Sequence, residues 1–168
     1  MKFRELTADE IECRVARVNN AGVELLLYKT SRTDMDILDE TVGTGNWQCE
    51  FYECKGTLFC KIGILTENGW VWKANAGSPS NMEAAKGEAS DAIKRAGFTW
   101  GIGRELYTSP RIFVYADKCK SFRQGRNGKM QCYDNFKVAK VLIEDGAIRG
   151  IRIVNEDTGQ IAFSWKEA

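Results

Sequence analysis

The feature that most constrains this chain is one long helix whose apolar face is almost all alanine, set between two groups of short β-prone runs. Ala85, Ala89, Ala92, Ile93 and Ala96 recur at i, i+4, i+7, i+8 and i+11, the spacing of a single helical face. Side chains this small let the helix lie close on a sheet or on a neighbouring subunit. Ser80-Asn81-Met82-Glu83 has the capping-box form that opens such a helix. Gly97, Gly101 and Gly103 end it, and Arg104–Tyr107 adds one further turn before Pro110.

Upstream, runs at about Trp47–Glu53, Leu58–Leu65 and Trp70–Ala74 are separated by Lys55-Gly56 and Glu67-Asn68-Gly69. The Asn-Gly pair is the strongest short hairpin signal in the chain. Nearer the N-terminus, Thr7-Ala8-Asp9-Glu10 is another capping box that could open a short helix. Two β-prone runs, Glu12–Val18 and Val23–Tyr28, flank the turn Asn19-Asn20-Ala21-Gly22. Met35, Ile37, Leu38 and Val42 then lie at helix-like spacing before Gly43 and Gly45. Downstream come a short strand at Arg111–Tyr115, a polar basic loop over residues 117–134, and a second meander of Phe136–Ile143, Ala147–Val154 and Gln160–Trp165. No repeat or linker interrupts this order. It predicts an α+β architecture of antiparallel strands crossed by one main helix.

A chain of 168 residues suits one domain with a sizeable core. No run approaches the roughly 18 apolar residues of a membrane span, and Met1–Leu6 lacks a signal-peptide stretch, so a cytoplasmic protein without membrane association is expected. There is no histidine among the residues, which removes every Ser-His, Cys-His or histidine-metal mechanism. The six cysteines, Cys13, Cys49, Cys54, Cys60, Cys119 and Cys132, contain no Cys-x-x-Cys pair. A zinc site from Cys49, Cys54, Cys119 and Cys132 has no usual spacing, so reduced, mostly buried thiols and no metal are expected. The nearest string to a nucleotide-phosphate loop, Gly125-Arg126-Asn127-Gly128-Lys129-Met130, has the wrong spacing and no hydroxyl for magnesium. Neither ATP nor any other cofactor is expected.

Net charge is only +1, yet its distribution is uneven. Between Lys86 and Lys129 ten basic residues face four acids, a net of +6, while the remainder carries −5. Such asymmetry marks a basic patch on a neutral protein. Within it, Lys94-Arg95 stands near the C-terminal end of the alanine-faced helix, where cations complement the helix dipole. Two adjacent long cations on a rigid element can also clamp a phosphate. Asp91 lies three and four residues before them, within reach of both. Trp47, Trp70, Trp72, Trp100 and Tyr107 could stack on bases, but their periodicity makes most of them core. Trp70 and Trp72 share one strand face.

The stretch from Leu26-Leu27-Tyr28 to Asn46-Trp47, the strands after it, Lys86-Gly87-Glu88-Ala89-Ser90-Asp91-Ala92-Ile93-Lys94-Arg95-Ala96-Gly97 and Trp100-Gly101-Ile102-Gly103-Arg104-Glu105-Leu106-Tyr107 together resemble the Rad52/Rad22 recombination family. The likeness is nearest to its short phage and prophage branch, the Sak-type single-strand annealing proteins, and spans about residues 9–115. It implies a β-β-β-α core of antiparallel strands on one main helix, with the C-terminal antiparallel β meander as an addition. On this reading residues 1–168 form one annealing domain: 8–115 the family core, 116–134 the basic loop, 135–168 the meander.

The resemblance further implies rings or filaments of identical subunits that hold single-stranded DNA in a basic groove, bases outward, without catalysis. The family's phosphate-contacting lysine-arginine pair maps onto Lys94 and Arg95. An arginine before the first hairpin turn maps onto Arg14, with Arg17 only three residues away. Arg104 and the loop cations Lys118, Lys120, Arg123, Arg126 and Lys129 complete the candidate DNA-binding set, although an exposed flexible loop explains the latter as well. Lysines of a second DNA site in eukaryotic members fall near Thr66 and Asn75 here, and the long recruiting tail of those members is missing from this stretch. A host single-strand-binding protein is a partner the phage-type likeness implies, though no segment encodes it visibly. Two rivals stand beside this reading: a duplex-RNA or protein-binding module on the same core, and a magnesium-dependent nuclease built on Asp34, Asp36, Asp39 and Glu40. These acids otherwise read as a solvated face.

Overall fold

The computed structural model describes residues 1–78 and 84–167. Strands β1 (Glu12–Asn19) and β2 (Gly22–Tyr28) precede helix α1 (Ser31–Val42), strands β3 (Trp47–Cys54), β4 (Thr57–Thr66) and β5 (Gly69–Ala76), and helix α2 (Ala84–Trp100). There follow β6 (Ile112–Tyr115), the two-residue strands β7 (Arg123–Gln124) and β8 (Met130–Gln131), and the meander β9 (Phe136–Glu144), β10 (Ala147–Asn155) and β11 (Gln160–Lys166). The architecture is α+β, as the sequence predicts. Two compact units divide the chain: Met1–Glu5 with Lys29–Arg104, and Leu6–Tyr28 with Glu105–Ala168. Among the described residues no helix is long and apolar enough to cross a membrane.

The first unit is an antiparallel sheet in the order β3-β4-β5, with α2 packed on β4, β5 and α1. The β3–β4 turn is the tight kind that needs two left-handed residues, and Lys55 (φ 53°) and Gly56 (φ 73°) supply them. Cys60, Ile62 and Ile64 of β4 are fully buried, as are Ala92 and Ala96 of α2, with Ile93 nearly so. The alanine face therefore does what its spacing implies; the side chain of Ala85 and the Ser80–Glu83 box lie outside the described residues. α1 begins with Thr30, whose hydroxyl accepts from Thr33 N, and ends where Gly43 N donates to Asp39 O. Gly97 of α2 leaves room for the carboxylate of Asp34 on α1. A Cβ there would stand 2.1 Å from Asp34 Oδ1, inside any van der Waals contact.

The second unit holds the sheet β1-β2-β6, the meander ordered β11-β10-β9, and the small hairpin β7-β8. Val23, Leu25 and Leu27 bury one face of β2, and Ile112 and Val114 continue that face on β6. Thr7-Glu10 closes a single 3-10 turn, Ala8–Glu10, rather than the short helix the sequence suggests. Thr7 N donates to Glu10 Oε2 at 2.9 Å, and the β-prone run from Glu12 leaves no room for a second turn. The basic loop also differs from expectation: residues 123–131 form an ordered hairpin, which polar two-residue strands do not announce in a sequence.

Candidate nucleic-acid interface

Lys94 and Arg95 lie in the last two turns of α2, and both reach Asp91 one turn earlier. Arg95 Nε is 2.8 Å from Asp91 Oδ2, and Lys94 Nζ is 3.6 Å from Oδ1. Asp91 also accepts from Ser78 N at 3.0 Å. The Arg95 side chain remains 47% exposed against 24% for Lys94. The pair is thus pre-aligned by one carboxylate and still open to a phosphate, which would compete with an exposed ion pair worth little in water.

Beneath this pair lies a buried one. Lys29 Nζ sits 2.5 Å from Asp34 Oδ1 and 2.6 Å from Oδ2, with side-chain exposures of 1% and 0%. The ammonium also lies 3.4 Å from the carbonyl of Lys94 and 4.5 Å from the centroid of the Phe98 ring. It therefore joins the start of α1 to the turn of α2 that carries the cations. Burial raises Asp34 to about 6, against the pull of Lys29 and Lys94. The other acids of the nuclease reading are mostly engaged. Asp39 Oδ1 accepts from Trp47 Nε1 at 2.6 Å, and Glu40 pairs with Arg4 at 2.6 Å, leaving Asp36 exposed on α1.

Arg104 is exposed, but its guanidinium turns back on α2, with Nε donating to Phe98 O at 2.7 Å and an Nη to Thr99 O at 2.9 Å. Lys73 Nζ reaches the same Thr99 carbonyl at 3.2 Å. Both cations satisfy the open carbonyls of a helix C-terminus. Thr66 and Asn75, which stand where a second DNA site would need lysines, hold backbone instead. Thr66 Oγ1 donates to Gly69 O and Asn75 Nδ2 to Arg95 O. Trp47 and Trp100 each commit their indole N–H inside the unit, Trp100 to Ile62 O at 3.0 Å. Trp70 and Trp72 do share one strand face, with ring centroids 6.0 Å apart. Gly63 opposite Trp72 lies under that ring, where a Cβ would meet it at 2.7 Å. Of the five named aromatics, Trp70 (42%) and Tyr107 (77%) are the most exposed.

In the second unit a bulge determines which arginines share a surface. The β1–β2 register shifts between Val15 and Arg17, so Arg14 opposes Leu26 and Arg17 opposes Glu24. Without that extra residue the two arginines would point to opposite faces. With it, both are exposed. Arg111 joins them, 3.4 Å from Glu24 and 5.8 Å from the Phe113 ring centroid. Glu24 is the acid set among these three arginines. The sequence pointed to Arg14, with Arg17 three residues away; that Arg17 and Arg111 share its face follows only from register.

The hairpin presents Arg123, Arg126 and Lys129, all exposed, with Lys118 and Lys120 exposed just before it. None of these five forms an ion pair among the described residues. The tip is held by Gly125 N to Lys129 O (2.8 Å), Gly128 N to Gly125 O (3.0 Å) and Gln124 Nε2 to Gly128 O (2.9 Å). A shallow groove of about 630 Å³ runs along Arg123, Gln124, Arg126, Asn127 and Gln131. At the base, Asp134 accepts from Lys120 N (2.6 Å), Ser121 N (2.8 Å) and Asn155 Nδ2 (2.6 Å). Burial alone would raise Asp134, but hydrogen bonds from the Ser121 hydroxyl and from these three donors outweigh it and hold the carboxyl below its ordinary range. Four of the six cysteines lie in pairs within units. Cys49 is brought down to about 7, chiefly by a hydrogen bond from the Cys60 thiol and against its own burial, and Cys119 stands beside Cys132.

A family profile described as Rad52/22 family double-strand break repair protein matches residues 28–125, more than half of the chain. The chain belongs to that family. No curated protein and no solved structure matches it. The Rad52/22 span runs from the last residue of β2 through the first unit to the tip of the small hairpin. It includes Lys94, Arg95, Arg104, Lys118, Lys120 and Arg123, whereas Arg14 precedes it and Arg126 and Lys129 follow it.

Proposed function

We propose that this Rad52/22 protein binds single-stranded DNA through its phosphates and anneals complementary strands during recombination and repair. It does so without ATP, metal-dependent chemistry or catalysis, as a ring or filament of identical subunits, in the manner of the short phage and prophage Sak-type branch. The observation that carries this reading is the Lys94–Arg95 pair on α2, Arg95 exposed and Lys94 half-buried, inside the span that matches the family. Side chains neutralise phosphates, counterions leave, and affinity falls with salt. Oligomerisation multiplies a weak contact per subunit into stable binding through effective concentration. Extended strands held with bases free lose less on finding register; the pairing energy belongs to the bases.

The α2 pair, the Arg14–Arg17–Arg111 face and the hairpin are the proposed DNA contacts. Arg104 is the weakest of the candidates, because its donors are already engaged with helix carbonyls. The engaged states of Asp34, Asp39 and Glu40 weigh against magnesium and hence against the nuclease. The test is a titration of a labelled oligonucleotide at fixed salt. Lys94→Ala with Arg95→Ala is expected to keep its fold and oligomeric state and to lose at least tenfold in affinity. Unchanged affinity removes both residues from the site, and a preference for duplex RNA over single-stranded DNA contradicts the reading.

A further inference from the structure

We propose that Cys119, Cys132 and Asp134 form a site for a thiophilic divalent cation of the zinc class, closing the base of the β7–β8 hairpin. The two sulfurs and a carboxylate oxygen lie within 4.8 Å of one another. Zinc binds thiolate at about 2.3 Å and carboxylate at about 2.0–2.2 Å, so a tetrahedral centre needs sulfurs about 3.8 Å apart. A separation of at most 4.8 Å is about an ångström above that spacing. The fold brings them together for a local reason. Residues 119 and 132 flank the two strands of the hairpin, and Cys132 and Asp134 are both buried while Tyr133 between them is exposed.

The surroundings are those of a ligand set. Asp134 Oδ2 accepts two N–H bonds, from Lys120 and from Asn155, Oδ1 accepts that of Ser121, and the Ser121 hydroxyl also hydrogen-bonds the carboxylate. Ser121 Oγ lies 3.8 Å from Cys132 Sγ and itself accepts from Tyr133 N. Outer hydrogen bonds of this kind fix the orientation of metal ligands. Cys132 and Asp134 are 8% and 7% exposed, and Asn155 behind them is fully buried. Two sulfur donors select zinc-class ions over magnesium or calcium. Binding releases both thiol protons to solvent, and a water completes the fourth position. The cation holds the two ends of the hairpin together, setting where Arg123, Arg126 and Lys129 project. It does so whether or not those residues meet DNA.

The experiment uses the full chain, reduced and stripped with a chelator, titrated with cobalt(II) and then with zinc. One equivalent of cobalt is expected to produce thiolate-to-metal absorption, and one equivalent of zinc to abolish it. Cys119→Ser and Cys132→Ser each weaken uptake at least tenfold, while Cys49→Ser and Cys54→Ser, in the first unit, leave it unchanged. Asp134→Asn also weakens it tenfold; should that variant unfold by circular dichroism, the serine variants decide alone. Absence of absorption at one equivalent overturns the site. So does absorption that survives in the double Cys119→Ser, Cys132→Ser variant, or a Cys119–Cys132 disulfide in a chain that takes up no cobalt once reduced.

Discussion

The cations around α2 and those of the β7–β8 hairpin look alike in the sequence and are placed quite differently in the fold. Lys29 is buried against Asp34, Arg104 is spent on helix carbonyls, and Lys94 and Arg95 lean on Asp91. Lys118, Lys120, Arg123, Arg126 and Lys129 stand exposed with no ion pair among the described residues. The segment charge of +6 counts these groups equally. The structure separates cations spent inside the first unit, Lys29 and Arg104, from cations that keep exposed donors, Arg95 beside Asp91 and the five around the hairpin.

The largest expected effect tests the first group. Removing one partner of a buried pair leaves the other charge uncompensated, at about 3–5 kcal/mol. Lys29→Met or Asp34→Ala should lose that much by urea unfolding, and Lys29→Met combined with Asp34→Leu should recover most of it. A cost below about 1 kcal/mol for either single change would show that the pair does not hold α1 to α2. The same pair predicts a pH effect. With Asp34 raised from 3.8 to about 6, the folded state holds more protons than the unfolded one between those values. Stability from this group is therefore full below that window and declines as pH rises through it. Asp34→Asn should remove this decline, read as the difference between the two unfolding curves.

The exposed cations come next. Neutralising Arg123, Arg126 and Lys129 to alanine should reduce the slope of log affinity against log salt by about 2, at roughly 0.7 per phosphate contact on a single strand. An unchanged slope would make the hairpin a bystander. Arg104→Ala lies on the other side of the comparison: about 1 kcal/mol less stable through lost capping, with the salt slope intact. The smallest effect concerns Asp91. Asp91→Asn releases Lys94 and Arg95 from their intramolecular acid, and single-strand affinity at low salt should rise by a few-fold, on the order of an exposed ion pair.

Much of the fold could be read from turn chemistry and period. Lys55-Gly56 supplies two left-handed residues and Gly69 one after Asn68, which is why these turns end strands, and the alanine spacing named the buried face of α2. The site was less legible, for three physical reasons. Asp34 belongs to a run of acids on α1 that reads as a solvated face, and its partner Lys29 lies before the helix, outside any helical spacing rule. Arg17 shares a face with Arg14 only because of a bulge, which leaves no mark in composition. The order in residues 117–134 comes from Asp134 accepting three backbone and amide donors, a closure that no local pattern among Lys120, Ser121 and Asn155 reveals.

The most direct measurement is the renaturation rate of two complementary oligonucleotides at low ionic strength, with chelator present and nucleotide absent. The account predicts that the pure protein speeds pairing well above the spontaneous rate, and that the Lys94→Ala, Arg95→Ala variant returns it toward that rate. Pairing no faster with the protein than without it would contradict the proposal.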